Sequence, residues 1–363
     1  VRHVAGIDTW RGLSVVLVVM HHVAIRLPLT KSAAADWLPK RLLLAANWNG
    51  YEAVLIFFVI SGFLITTRTL ERDGAPATVD LRAFWVRRAA RIGPPLAALV
   101  AVLSTLHLLG VPHHTIDVQR QSLALAITSA VTFWLNVYEA RTGYLPGGWD
   151  VLWSLSIEEV FYLGFPLLLR VTRRELSLAA VLVPFALALP WLHGMNTEEL
   201  WREKAYLPGM AAIAAGVVAA VAARSLPAAR RRDQGLVALG AAAVAATLGW
   251  GDLLWPVLGE GTLLVHVGGV AAAIVGAHGL RADAPWAVTA PLRSFGRWSY
   301  EIYLTHMFVV FALVSAFAAA GWGKREGAWA YPLALAGSWA LGRAYARLWS
   351  EPANTWVRAR LGG

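Results

Sequence analysis

Cysteine is absent from the 363 residues, which excludes a disulfide framework, a thiolate nucleophile and any thiolate metal site; no metal is expected. Charge is scarce too, at 15%, and unbalanced, with 32 Lys and Arg against 22 Asp and Glu. The resulting +10 would suggest nucleic acid in a soluble chain, but here the arginines gather in short segments between apolar runs. That distribution is the one expected of cytoplasm-facing loops, so no nucleic-acid partner is expected. What is abundant is apolar surface: 58% of residues are hydrophobic and 18 are Trp, more than a water-soluble domain of this length needs. The expectation is an all-α, multi-pass integral membrane protein of the cytoplasmic membrane, with the lipid bilayer as its first partner.

Eleven apolar stretches stand out, at roughly 12–29, 51–67, 93–111, 122–138, 152–169, 177–193, 207–223, 236–250, 262–280, 299–320 and 329–348. Charge decides which of them cross. Arg68, Arg72, Arg82, Arg87, Arg88 and Arg91 place the loop after the second run inside, and the amino terminus with it. Arg170, Arg173 and Arg174, then Arg224 with Arg230 to Arg232, then Arg281, Arg293 and Arg297, and finally Arg347, Arg358 and Arg360 also belong inside. Eleven crossings would invert the sign after the fourth. Treating 122–138 as a re-entrant or interfacial segment restores agreement, which leaves about ten transmembrane helices with both termini cytoplasmic. No internal repeat or soluble domain is visible, so residues 1–363 read as a single membrane-embedded domain.

Several polar residues interrupt this apolar background. Arg11 and His22 stand eleven residues apart at the head of the first run. Eleven helical steps make about three turns, so both share one face, with the imidazole about 16 Å along the axis from the guanidinium. Ionisable groups are costly in hydrocarbon and usually line a polar cavity or path. Ser61, Glu158 and His306 fall at a similar depth, seven, twelve and nine residues from Arg68, Arg170 and Arg297. They are expected to share one intramembrane cavity with His22. His21 lies about 80° off the Arg11 face and is expected to pack or assist, while Glu159 is expected at the lipid edge or facing a loop.

Together these residues resemble the acyltransferase-3 family of integral membrane O-acyltransferases. DTWRGLSVVLVVMHH resembles its Arg-x10-His signature, and FFVISGFLIT, FWVRRAARIGPPL, WSLSIEEVFYLGFP and SYEIYLTH follow in the family's order. One departure is visible: Leu55 stands where many members carry an acidic residue, and Glu52 lies three positions earlier. The resemblance implies ten membrane helices and transfer of an acyl group from acyl-CoA, first of all acetyl-CoA, to a hydroxyl of a cell-envelope glycan or glycolipid. A macrolide-like metabolite is the alternative acceptor, and a transporter or exporter is the reading from a different class.

Attack of a hydroxyl on a thioester needs a base of near-neutral pKa, and imidazole suits that task. His22 is therefore the expected general base and Glu158 the second catalytic residue, which would orient a histidine or receive the acceptor hydroxyl. Arg11, Arg88 and Arg91 are the candidates for the donor's phosphates, though the two later arginines would serve equally as topology anchors. Ser61, Tyr300 and His306 are the substrate-binding candidates; Ser61 and Tyr300 could donate to an oxyanion, and His306 could bond the acceptor or join helices. Ser61 with Gly62 could instead permit close helix packing. Direct transfer and an acyl-histidine intermediate both fit.

Overall fold

A computed structural model of the chain describes residues 5–280 and 287–361. All regular structure among the described residues is helical. Arg281, one of the arginines that orient the chain, lies outside them.

Six described helices are long and apolar enough to cross a membrane: Gly50–Asp73, Leu81–Leu108, Gly147–Thr172, Glu199–Ser225, Gly261–Leu280 and Ser299–Ala319. Arg230–Gly249 and Gly251–Leu258 make a seventh if the pair, bent by 95°, counts as one span. Three of the ten expected crossings fall outside this set, each for a local reason. The first helix, Ala5–Ala24, carries Asp8, Arg11, His21 and His22, which dilute its apolar character. The run at 177–193 breaks into Glu175–Leu187 and the short Leu189–Gly194, with Pro184 and Pro190 removing backbone donors. The last helix, Ala330–Tyr345, holds only 16 residues before a π-helical turn, Ala346–Ser350, leads into Glu351–Leu361.

The 122–138 stretch makes no crossing helix. Ser122 caps Leu123–Val131 by accepting the Leu125 amide, the chain reverses at Phe133 with φ of 62°, and Leu135–Thr142 follows. Nine and eight residues are too few to span hydrocarbon.

The chain divides into two compact units. One comprises Val1–Ile60 with Ala223–Arg343. Its first helix meets Ala290–Arg297 backbone to backbone: a Cβ on Gly12 would lie 1.8 Å from the Leu292 carbonyl oxygen, and one on Gly296 1.8 Å from that of Asp8. Val15, Val19 and Val23 then pack with Ile302, Val310 and Phe317 in a buried core.

The other unit comprises Ser61–Ala222 with Ala344–Gly363. Asp80 caps its Leu81–Leu108 helix by accepting the Ala83 amide, so Arg82, Arg87, Arg88 and Arg91 lie on a helix rather than in the loop their charge suggested. Pro94 and Pro95 sit inside that helix. Their carbonyls accept hydrogen bonds from the Trp349 indole (3.0 Å) and the Tyr345 phenol (2.6 Å), which tie the carboxy-terminal segment to it. Gly62 lets its own helix approach the 206–225 helix, since a Cβ there would lie 1.9 Å from the Ile213 carbonyl oxygen.

Candidate active site

Two clusters hold most of the residues singled out above, one in each unit. In the first, His22 and His306 meet. His22 Nδ1 lies 2.9 Å from the Val18 carbonyl oxygen and 3.3 Å from His306 Nε2, and the rings stand 4.9 Å apart between centroids. His306 Nδ1 in turn lies 2.8 Å from the Tyr303 carbonyl oxygen and 3.2 Å from that of Ile302. A carbonyl oxygen only accepts, so each neutral ring must carry its proton on Nδ1. The consequence is directional: His306 Nε2 accepts from His22 Nδ1–H, and the lone pair of His22 sits on Nε2. Among the described residues that nitrogen makes no hydrogen bond, and His22 is only partly buried whereas His306 is wholly so.

The residues around this pair hold it in place. Arg26 donates to the His22 carbonyl at 3.0 Å and lies 4.5 Å over the Phe311 ring. His21 turns away, with Nδ1 donating to the Asn47 carbonyl at 2.9 Å and its ring against Trp48, so it packs as its helical phase predicts. Arg11 donates through Nε to Ser299 Oγ at 3.1 Å and pairs loosely with Asp8 at 3.9 Å. Tyr300 is half-buried, six residues before His306 on the same helix, or about 9 Å along its axis.

In the second unit Ser61 and Glu158 meet. Glu158 Oε1 accepts from the Ser61 hydroxyl and from the Tyr162 phenol (2.6 Å), and Arg88 Nη2 lies 3.6 Å away. Two hydroxyl donors and a guanidinium thus converge on one carboxyl oxygen. Its second oxygen makes no hydrogen bond among the described residues, which leaves it able to accept one.

Arg88 is engaged inside the unit. Its Nη2 donates to Glu159 Oε1 at 2.8 Å and its guanidinium lies 3.8 Å over the Tyr162 ring, so it already serves two carboxylates and an aromatic face. Glu159, expected at the lipid edge or facing a loop, is instead the more buried of the two carboxylates, its side chain 8% exposed against 23% for Glu158. An arginine inside the unit needs a counter-charge there, and Glu159 supplies it. Arg91 is half-buried one turn further along the same helix. No group of three or more His, Asp or Glu side chains able to hold a metal occurs among the described residues.

The comparisons with known proteins bear on both clusters. The sequence profile of the acyltransferase domain matches residues 4–343, which takes in His22, His306, Ser61 and Glu158. The chain belongs to the acyltransferase-3 family. Among its relatives, the O-acetyltransferase OatA of Staphylococcus aureus (strain NCTC 8325 / PS 47) is 33% identical over 172 residues, 46% of this chain and 25% of the relative. The OatA of strain COL gives the same figures. The chain thus matches a quarter of the length of these curated relatives. No solved structure matches it.

The chain also contains buried polar groups that were not anticipated. Lys204 Nζ lies between Glu139 Oε2 (2.7 Å) and Asp150 Oδ1, with the Tyr144 ring 4.4 Å away. Burial pushes the Glu139 carboxyl up, Asp150 adds to the rise, and Lys204 opposes it. A signal existed in the sequence: a lone lysine at the start of an apolar run, facing an acidic residue at the start of another. Tyr162 was legible as well, one turn after Glu158 in EEVFY.

Proposed function

We propose that this acyltransferase moves an acyl group, first of all acetyl, from acyl-CoA to a hydroxyl of a cell-envelope glycan or glycolipid at the cytoplasmic membrane. The observation that carries the reading is the tautomer of His22, whose proton is fixed on Nδ1 and whose lone pair is left on Nε2. In the proposed step Nε2 takes the proton of the acceptor hydroxyl while its oxygen attacks the thioester carbonyl. The C–S bond then breaks, the ester forms, and the CoA sulfur leaves with the proton that His22 returns. His306 Nε2, already facing His22 Nδ1–H, stabilises the imidazolium that forms between these events, so His306 is a positioning residue in this scheme.

Glu158 is assigned to bind a substrate hydroxyl through its unspent oxygen, with Ser61 and Tyr162 holding it in place. Arg88 is assigned to hold the two glutamates, which leaves Arg11 and Arg91 as the donor-phosphate candidates, and Tyr300 remains the candidate oxyanion donor. Both compact units are read as one enzyme domain, because the family profile runs through both. Ten crossings with cytoplasmic termini remain the proposed topology.

Purified protein supplied with labelled acetyl-CoA tests the reading. His22→Ala should lower thioester turnover by about two to four orders of magnitude while His21→Ala retains it. Equal turnover in both variants would remove the assignment.

A further inference from the structure

The corner that joins the Lys40–Trp48 helix to the Gly50–Asp73 helix takes no part in the chemistry above. It belongs to the unit of Val1–Ile60 and Ala223–Arg343, and that unit holds it firmly. Asn49, at the corner itself, donates through Nδ2 to the Ala45 carbonyl at 2.7 Å, which closes the last turn of the shorter helix. The same nitrogen donates to the Leu248 carbonyl at 2.9 Å. The Asn47 carbonyl accepts from His21 Nδ1 at 2.9 Å, and Gly50 lies on the His21 ring, since a Cβ there would be 2.5 Å from Cδ2.

Trp48 is the side chain this corner holds out. Its ring lies 6.1 Å from that of His21 between centroids, His21 lies 5.5 Å from His22, and His22 lies 4.9 Å from His306. A file of rings thus leads from an indole that is 49% exposed to the wholly buried His306, and passes His22 on the way. Two polar atoms at the corner are unspent. Among the described residues the Trp48 indole N–H donates no hydrogen bond, and Asn49 Oδ1 accepts none.

A fixed aromatic face costs a ligand little ordering, because the indole is already in place. Hydrocarbon would leave both polar atoms without partners. A pyranose would satisfy all three features, with C–H groups to stack on the ring and hydroxyls to meet the donor and the acceptor.

We propose that Trp48 is a stacking platform for a sugar ring of the acceptor, with Asn49 Oδ1 accepting a hydrogen bond from one of its hydroxyls. The proposal rests on the reading of the acceptor as a glycan and of His22 as the base. Two ring contacts separate the platform from His22, a separation that a short oligosaccharide spans.

Calorimetric titration of the protein with chitotetraose and with cellotetraose, in a detergent without a sugar headgroup, reads the site. At least one should bind to the unaltered protein, and Trp48→Ala should weaken that binding by roughly tenfold. Trp48→Phe keeps an aromatic face and should recover most of the loss. Trp48→Leu keeps apolar contact with His21 but no ring, and repeats the test if the alanine variant does not fold. Trp37→Ala is the control: that indole is 86% exposed and precedes the Lys40–Trp48 helix, so binding should not change. Absence of binding of both tetrasaccharides to the unaltered protein, or equal binding in a folded variant without the ring, would overturn the platform. Loss of such a variant from the membrane with sugar binding intact would overturn it in favour of an anchor in the bilayer interface. Sugar binding is read without turnover, so this test and the turnover test of His22→Ala fail separately.

Discussion

Around the His22 imidazole every hydrogen-bond partner is neutral, a carbonyl from Val18 and a second imidazole from His306. Around Glu158 the partners are hydroxyls and a guanidinium, with a second carboxylate beyond. The difference suits the roles proposed for the two groups. A base has to gain and lose a proton, and neutral partners let it do so without a fixed counter-ion locking one state. A carboxylate among apolar helices needs several donors at once. One unit therefore surrounds its central side chain with neutral groups, and the other with donors and a cation.

The largest expected effect removes the cation from the second arrangement. Arg88→Met leaves Glu159 and Glu158 without a counter-ion and should cost about 3–5 kcal/mol of stability, read as loss of folded protein by size-exclusion chromatography. Adding Glu159→Gln should recover part of it, and a cycle without coupling would show that Arg88 does not act through Glu159. Next, His306→Ala should lower kcat about 10- to 100-fold with KM nearly unchanged, because His22 loses the acceptor for its Nδ1 proton. An unaltered kcat would reduce His306 to a joint between helices. Gly12→Ala and Gly62→Ala should each cost about 1–3 kcal/mol in thermal denaturation, one per unit, since the added methyl meets a backbone oxygen rather than a side chain. The smallest change is expected for Asp8→Asn. Its 3.9 Å pair with Arg11 should be worth under about 1 kcal/mol, and a larger shift would mean that Asp8 orients the arginine.

The sequence was most readable where chemistry and helical phase coincide. The turn of His21 toward Asn47 and Trp48 follows from angular steps of 100°, while the roles of Arg11, His22, Ser61 and Glu158 belong to the proposed scheme. The break in 122–138 was legible from the alternation of arginines, because a crossing helix there would have inverted the sign of every later loop. Partnership was not legible. Glu158 and Glu159 are adjacent in sequence, and only the packing of the 81–108 helix decides which one Arg88 takes. Helix length was misread where polar side chains are half-buried: Arg87, Arg88 and Arg91 look like loop residues until the carboxylates that accommodate them are seen. The Lys204 cluster escaped because its three members come from three separate segments, at 139, 150 and 204.

The π-helical turn at 346–350 holds one residue more than an α-helical turn would, and so sets the phase of everything after it. Each residue is about 100° of azimuth, so excising one there would rotate the terminal helix by more than a quarter-circle and swing Arg358 off its neighbours. The wide turn thus works as a screw thread, and a shift of a single notch would unseat the terminal helix from the 81–108 helix without altering any residue at their contact.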